Sequence, residues 1–226
     1  MLRKAFRVTV PVLLGYLAIG IAFGLLLRNA GYPWWLAPVM SALVYAGALQ
    51  YLAIGLLAAH ASLWEAALLA LVVNARHMVY GLSLLDRYGR AGWRKLYLIF
   101  ALTDETYALV TSTEAPGGVD PTGFYATISL LNHSYWVAGS AIGAIAGSLI
   151  PYNMTGLDFA LTALFIVLVV EQFGSATSKL PFLLAALSAA GAYFLVGPKN
   201  MLLVSIAGSV VLLLLFRKEV ARDVAR

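Results

Sequence analysis

The chain has 226 residues, of which 62% are hydrophobic and 11% are charged, with a formal net charge of +5 and no cysteine. A soluble domain carries about 25% charged residues, so a soluble protein is excluded, and without cysteine so are disulfides, thiol nucleophiles and thiolate metal sites. The positive charge fits lysines and arginines that flank membrane helices better than it fits a nucleic-acid interface. The composition predicts an all-α polytopic membrane protein.

Apolar segments follow one another along the whole chain, and most approach the roughly 20 residues that cross a bilayer core as a helix. We count about seven or eight within a single integral membrane domain, residues 1–226. They cover residues 8–28, 35–59, 62–85, 96–113, 124–150, 157–173, 180–197 and 199–216. The first is too long for a signal-peptide core and predicts a retained helix. Between the last two, VGPKN predicts a tight turn.

The basic residues predict the topology. Most of them form three clusters: Arg3, Lys4 and Arg7; Arg87, Arg90, Arg94 and Lys95; Arg217, Lys218, Arg222 and Arg226. Basic loops face the cytoplasm, so we expect both termini there. If all of the first three segments crossed, the first two clusters would face opposite sides. One segment should therefore be re-entrant or broken, and 35–59 is our candidate because Tyr45, Ala46 and Gly47 form a flexible midpoint.

A faint internal repeat suggests how the segments are organised. GYLAIGIAFG (15–24) and SYWVAGSAIG (134–143) share Tyr-x3-Gly-x3-Gly, and MSALVYAGALQ (40–50) resembles LTALFIVLVVE (161–171). The repeat predicts two inverted units, 8–86 and 124–197, with segment 96–113 crossing between them and 199–216 as a terminal crossing. Inverted repeats with interrupted helices are a common plan of secondary transporters. The alternative is eight full crossings with parallel repeats.

Polar residues interrupt the third segment at VVNARHMVYG (72–81). An ion at the bilayer centre costs about 2.5–3.5 kcal/mol on insertion scales. Asn74, His77 and Gly81 share one face of an uninterrupted helix, while Arg76 points about 160° away from Asn74 at 100° per residue. Arg76 is too deep to reach the interface easily, which favours a functional role over simple hydrogen bonding between helices.

The fourth segment carries two adjacent acids, Asp104 and Glu105, in LYLIFALTDETYALVTS (96–112). Carboxylates in hydrocarbon require a cation, a proton or both. Arg76 and His77 are the nearest candidates in sequence. One structural ion pair would explain one acid but not two that point in different directions, so we expect at least one to act in transport or coupling.

Other polar positions complete the set of candidates for substrate binding or coupling. Gln50 is a candidate substrate contact next to the flexible Tyr45–Gly47 stretch, and Glu171 occupies the matching place in the repeat. Asn132 precedes a Gly-x3-Gly-x3-Gly run (139–147), which predicts close helix packing rather than a ligand site.

Enzyme signatures are lacking. The sequence has no HExxH, GxSxG or Walker motif, so we predict neither enzymatic activity nor a cofactor or metal. Without a nucleotide site, ion or substrate gradients are left as the driving force.

Four stretches resemble the AzlC-like family, the large subunits of two-component branched-chain amino-acid exporters. They are PVLLGYLAIGIAFGLLL, YAGALQYLAIGLL, VVNARHMVYGLSL and LTDETYAL. Past residue 125 the resemblance rests on length, LNHSYWVAG and the closing apolar segments. It implies export of leucine, isoleucine and valine, with methionine as a further candidate, across a bacterial inner membrane. It also implies a small hydrophobic AzlD-like membrane subunit as partner.

Chemistry and resemblance together predict a proton-driven exporter of neutral amino acids. Arg76 or a half-helix N-terminus would meet the substrate carboxylate, and Asp104, Glu105 or Glu171 the ammonium group. Two alternatives stay open: a transporter of another small solute, and a non-transporting assembly subunit whose buried charges pair with a partner's helices.

Overall fold

The computed structural model describes residues 1–89, 91–149, 166, 169–170, 173–174 and 176–224. The described residues form helices and turns without strands, which confirms the all-helical prediction. By their contacts the residues divide into two compact units, Met1–Met154 and Thr155–Arg226.

Two long helices, α1 (Leu2–Asn29) and α8 (Pro121–Leu149), pack side by side in the first unit. Their glycines allow backbone contact: a Cβ on Gly20 would lie 3.1 Å from the Ser140 amide nitrogen, and one on Gly139 3.0 Å from the Tyr16 carbonyl oxygen. The predicted role of the glycine run in close helix packing is confirmed.

Helices α1 and α8 run in the same direction. Near the start of α1, the Thr9 hydroxyl lies 3.1 Å from the Tyr135 hydroxyl. At the end of α1, Arg28 Nε donates to the Ser148 hydroxyl at 3.0 Å. The inversion predicted for the two motif copies, 15–24 and 134–143, is therefore wrong, because inverted copies would run in opposite directions. The second repeat partner, 161–171, lies outside the described residues except for 166 and 169–170.

The predicted break in segment 35–59 is confirmed. Helix α2 (Leu36–Leu43) ends before Tyr45, which has φ +44°, and α3 (Gly47–Ala58) begins after an extended Ala46. Helix α2 follows the end of α1 and descends along α8 to its middle, where the Tyr45 ring lies 4.2 Å from that of His133. Helix α3 turns back, since the Tyr51 hydroxyl donates to the Ile19 carbonyl at 2.6 Å and the Tyr51 ring lies 5.6 Å from that of Phe23. Residues 36–58 thus form a helical hairpin, hairpin 1.

Helices α4 (Leu63–Val73) and α5 (Ala75–Ser83) return the chain to the end where α1 begins. A capping box between Ser62 and Glu65 starts α4, and the pair bends by 42° at residue 74. Just after α5, Leu84 and Tyr88 are buried in one apolar cluster with Ala5 of α1. The first basic cluster and the described part of the second therefore lie at the same end of the unit, as predicted.

Segment 96–113 does not cross, contrary to the prediction. Helix α6 (Arg94–Phe100) enters from the N-terminal end of the unit, and α7 (Asp104–Ser112) returns to it. At that end, Arg87 Nη1 donates to the Thr111 carbonyl at 3.3 Å, and Lys4 Nζ to the Glu114 carbonyl at 2.9 Å. The tip, residues 101–103, is buried. Residues 94–112 form a second helical hairpin, hairpin 2, which enters from the end opposite to hairpin 1.

Single-cysteine labelling tests hairpin 2 directly, because the native chain has no cysteine. Trp93→Cys and Glu114→Cys replace exposed residues before α6 and after α7. Both should react with a membrane-impermeant maleimide from the same side, whereas a crossing segment would expose them on opposite sides. Trp35→Cys, before hairpin 1, serves as the control and should react from the other side.

In the second unit, α9 (Leu180–Leu215) is interrupted at Gly197, whose φ of 72° and ψ of 176° are not helical, so the predicted turn at VGPKN is confirmed. A short α10 (Arg217–Val224) follows. By length and apolarity, α1 and Leu180–Gly197 qualify as membrane spans within the described residues, and bent α4–α5 would make a third. Helix α8 is long enough, but it carries polar residues that are buried inside the unit. The number of crossings and the single-domain organisation stay predictions.

Candidate functional site

The tips of the two hairpins meet beside the middle of α8. The Tyr45 and Phe100 rings lie 6.4 Å apart, and the His133 ring contacts both. Helix α3 begins at Gly47 and α7 at Asp104, so two helix N-termini with their partial positive charge point into this region. Half-helix ends at such a depth are where secondary transporters hold their substrates.

A polar cluster surrounds the start of α7. Thr103 caps the helix, since its hydroxyl accepts from the Thr106 amide at 3.3 Å. The Tyr16 hydroxyl of α1 lies 2.7 Å from the Thr103 hydroxyl and donates to Glu105 Oε2 at 2.7 Å. From α8, Asn132 Nδ2 donates to the Thr106 hydroxyl at 3.0 Å. The cluster thus joins α1, hairpin 2 and α8.

Two buried polar atoms in this cluster lack hydrogen-bond partners. They are the hydroxyl of Tyr45, a residue 3% exposed, and Oδ1 of Asn132, which is fully buried. The hydroxyls of Tyr16 and Thr106 lie near the Tyr45 hydroxyl but outside hydrogen-bonding geometry. A buried unpaired polar group costs about 1–3 kcal/mol. Such groups indicate a position for a ligand or an ordered water.

The predicted ionic residues come together next to this cluster. Arg76 Nη1 lies 2.7 Å from Asp104 Oδ2, and the two side chains are 38% and 39% exposed in the first unit. Asp104 Oδ1 and Arg76 Nε are buried without hydrogen-bond partners among the described residues. Arg76, one of the two cations expected from the sequence, is thus the partner of Asp104. The role of this ion pair in transport stays a prediction.

Glu105 differs from its neighbour. It accepts the Tyr16 hydroxyl and is exposed on the first unit, but it takes part in neither of the ion pairs found among the described residues. His77 lies near enough to both acids and to Arg76 to interact with them electrostatically. One of the two adjacent carboxylates is therefore balanced by a cation, and the other is held by a neutral donor.

Gln50 is fully buried in a network that joins hairpin 1 to α8. Its Oε1 accepts from Trp136 Nε1 at 2.8 Å, and its Nε2 donates to the Ser41 hydroxyl at 3.0 Å. Ser41 in turn donates to Ser140 at 2.7 Å. At Gly47, an added Cβ would lie 3.2 Å from the Trp136 ring. Both residues position the hairpin, and direct substrate contact by either stays a prediction.

Asn74 sits at the bend between α4 and α5, where its side chain donates to the Ala70 carbonyl at 3.0 Å. The uninterrupted helix assumed for its face with His77 and Gly81 is therefore wrong, because the helix ends at Asn74. Glu171 lies outside the described residues.

Sequence reasoning missed Tyr16, His133 and Trp136 as members of this region. Each lies near the middle of α1 or α8 and bonds to a hairpin. A signal was present on α8, where Ser129, Asn132, Trp136 and Ser140 recur at helical spacing and are buried. A polar stripe of this kind marks a face that packs against protein rather than lipid.

Comparison with known proteins agrees with the resemblance seen in the sequence. The AzlC protein family model matches residues 11–150. The branched-chain amino acid transport protein AzlC of Bacillus subtilis (strain 168) is 43% identical over 171 residues, 76% of this chain and 67% of that protein. An uncharacterized membrane protein of Helicobacter pylori (strain J99) is 43% identical over 217 residues, 96% of this chain and 95% of its own length.

A more distant relative is the inner membrane protein YgaZ of Escherichia coli (strain K12). It is 33% identical over 172 residues, 73% of this chain and 70% of that protein. No solved structure matches the chain. The family model covers the whole region that carries the hairpins and the polar cluster, and this chain belongs to the AzlC family.

Proposed function

We propose that the protein is a secondary transporter that exports branched-chain and related neutral amino acids from the bacterial cytoplasm, driven by the proton gradient. A small AzlD-like membrane subunit works with it. The observation that carries the proposal is the pair of unpartnered buried atoms, Tyr45 hydroxyl and Asn132 Oδ1, where two helix N-termini converge. The name of the Bacillus subtilis relative supports the substrate class.

An amino-acid zwitterion matches this chemistry. Its carboxylate suits the start of α3, where the first amides have no intrahelical acceptor, and the Tyr45 hydroxyl can donate to it. Its ammonium group suits Asn132 Oδ1, which can only accept, and the nearby Glu105 carboxylate. The Phe100 ring offers an apolar wall. Because one methylene changes binding by only about 1–3 kcal/mol in such a wall, we expect a mixed range of leucine, isoleucine, valine and methionine.

The difference between the two acids suggests how protons couple to transport. Asp104 faces Arg76 at 2.7 Å, so a proton on this carboxylate would leave the guanidinium without its anion. Glu105 has Tyr16 as its hydrogen-bond donor, so it can bind a proton without leaving a cation unpaired. We assign the coupling proton to Glu105 and a fixed charge pair to Arg76 and Asp104. The basic clusters orient the N-terminal end of the first unit toward the cytoplasm.

Efflux of labelled leucine from preloaded cells tests the function, with and without the small subunit. Tyr45→Phe is the sharpest variant because it removes a hydroxyl that has no protein partner. Folding should be unaffected, while the apparent KM should rise about tenfold, since a hydrogen bond to a charged group contributes about 1.5–3 kcal/mol.

The matched control is Tyr88→Phe, which removes another buried unpaired hydroxyl at the N-terminal end of the unit. Its efflux should equal that of the native protein. Absence of partner-dependent efflux for every neutral amino acid would refute the function. Equal efflux in Tyr45→Phe and the native chain would remove Tyr45 from the substrate site.

A further inference from the structure

His133 lies between the two hairpin tips and bonds to both. On the side of hairpin 1, its Nε2 lies 3.3 Å from the Ser41 carbonyl oxygen and its ring lies 4.2 Å from that of Tyr45. On the side of hairpin 2, its Nδ1 lies 3.2 Å from the Tyr97 hydroxyl, and the Phe100 ring approaches edge-on at 5.9 Å. One imidazole on α8 thus connects two elements that enter from opposite ends.

The contact with His133 satisfies the Ser41 carbonyl, which loses its helical amide partner where α2 ends. The amide that would ordinarily bond to the Ser41 carbonyl is that of Tyr45, but it lies 3.5 Å from the Met40 carbonyl instead. Carbonyls at a helix end require another donor, and at membrane depth water is not freely available to supply one. His133 Nε2–H provides it.

The contact with Ser41 requires a proton on Nε2, because a carbonyl can only accept. At Nδ1, the Tyr97 hydroxyl can either donate to the bare nitrogen or accept from a protonated one.

We infer that His133 is a positioning residue for transport: its imidazole fastens the tips of hairpins 1 and 2 to each other and thereby sets the separation of the two helix N-termini. Its importance for flux rests on the proposed function, whereas its control of the tip separation does not. None of the residues predicted from sequence to bind or couple has this role.

Both contacts are compatible with either ionisation state of the ring. The Tyr97 hydroxyl can donate to a bare Nδ1 or accept from a protonated one, so protonation reverses the direction of this hydrogen bond and leaves the connection in place. The titratable groups that face the ring from the elements packed on it are Tyr45 and Tyr97, and both are neutral near pH 7. Among the described residues, no charged side chain hydrogen-bonds to the imidazole.

Two substitutions separate the polar role from simple packing. His133→Gln keeps one N–H donor and one acceptor but does not titrate. His133→Phe keeps an aromatic ring against Tyr45 but has neither donor nor acceptor. A role in packing alone would make phenylalanine the better replacement, and a role in fastening the tips would make glutamine the better one.

The tip separation can be measured in the cysteine-free chain by spin labels at Val44→Cys and Ile99→Cys. These side chains lie on hairpins 1 and 2 and are 40% and 41% exposed. In detergent near pH 8, the distance distribution should be narrow for the native residue and for His133→Gln, and broader for His133→Phe.

Leucine efflux provides the second measurement. We expect His133→Phe to lose about tenfold in flux, the equivalent of about one net hydrogen bond, and His133→Gln to retain most of it. A narrow distribution in His133→Phe would overturn the inference whatever the flux. A broad distribution without any change in flux would preserve the fastening and remove its role in transport. Absence of efflux in the native chain would refute the proposed function but leave the distance result intact.

Discussion

Replacing Gly143 with alanine should unfold or disperse the first unit. The added Cβ would overlap the backbone of Ile21, whose Cα would lie 2.8 Å away, and a backbone contact cannot be relieved by rotating a side chain. The helices α1 and α8 would have to separate along their whole interface. Overpacking costs typically 1–3 kcal/mol, and we expect the upper end or more because no flexible atom can yield. The measurement is the melting temperature of the purified protein, with the monodisperse fraction on size-exclusion chromatography.

The chain supplies a matched control in Gly15→Ala on the same helix, α1. Nothing lies within 4 Å of a Cβ at Gly15, and alanine favours a helix over glycine by about 0.5–1 kcal/mol. Its melting temperature should stay equal or rise. Equal melting temperatures for Gly143→Ala and Gly15→Ala would show that the close parallel packing of α1 and α8 is wrong.

Neutralising either partner of the ion pair alone should abolish transport and weaken assembly. Arg76→Gln leaves Asp104 without its cation, and Asp104→Asn leaves Arg76 without its anion. An unpaired charge at this depth costs about 2.5–3.5 kcal/mol, so we expect at least about a hundredfold loss of flux and a reduced level of folded protein. Leucine efflux and the amount of protein in the membrane are measured together.

The double variant Arg76→Gln with Asp104→Asn separates structure from transport. It removes both charges at once, so assembly should recover. If the pair takes part in transport, flux should stay low in this well-folded variant; if the pair only holds the helices, flux should return. The control is the ion pair of Arg94 and Asp120, 3.4 Å apart and about half exposed, whose neutralisation should change little because water already screens it.

Much of the local structure was accessible from sequence because it depends on short-range chemistry. Long apolar runs predicted the helices, Tyr45 and Gly47 predicted the break in segment 35–59, and VGPKN predicted the interruption at Gly197. The pairing of Arg76 with one of the two acids could also be anticipated. An isolated ion in hydrocarbon is costly, and few cations were available within the apolar segments.

The direction of the helices was not accessible in the same way. Segment 96–113 has the length of a crossing, and only long-range contacts show that it returns. Arg87 and Lys4 bond to carbonyls at the end of α7 and just after it, and Arg94 at the start of α6 pairs with Asp120. The shared Tyr-x3-Gly-x3-Gly motif likewise predicted contact surfaces but not their polarity. Glycines allow close packing of parallel as well as antiparallel helices, so the shared motif does not indicate the relative direction of α1 and α8.

The candidate site, too, could be predicted only in part from the sequence. Sequence identified the ionic residues and the candidates Tyr45 and Asn132, since polar groups in apolar runs stand out individually. It could not distinguish the bonded amide of Gln50 from the unpaired carbonyl of Asn132, or show that Tyr16 and His133 join separate elements. Composition and local chemistry determined a helical membrane protein with broken helices and charged residues within apolar segments. Only long-range packing decided that the helix breaks of hairpins 1 and 2 lie next to each other. The hydrogen bonds that satisfy a broken helix come from residues distant in the chain.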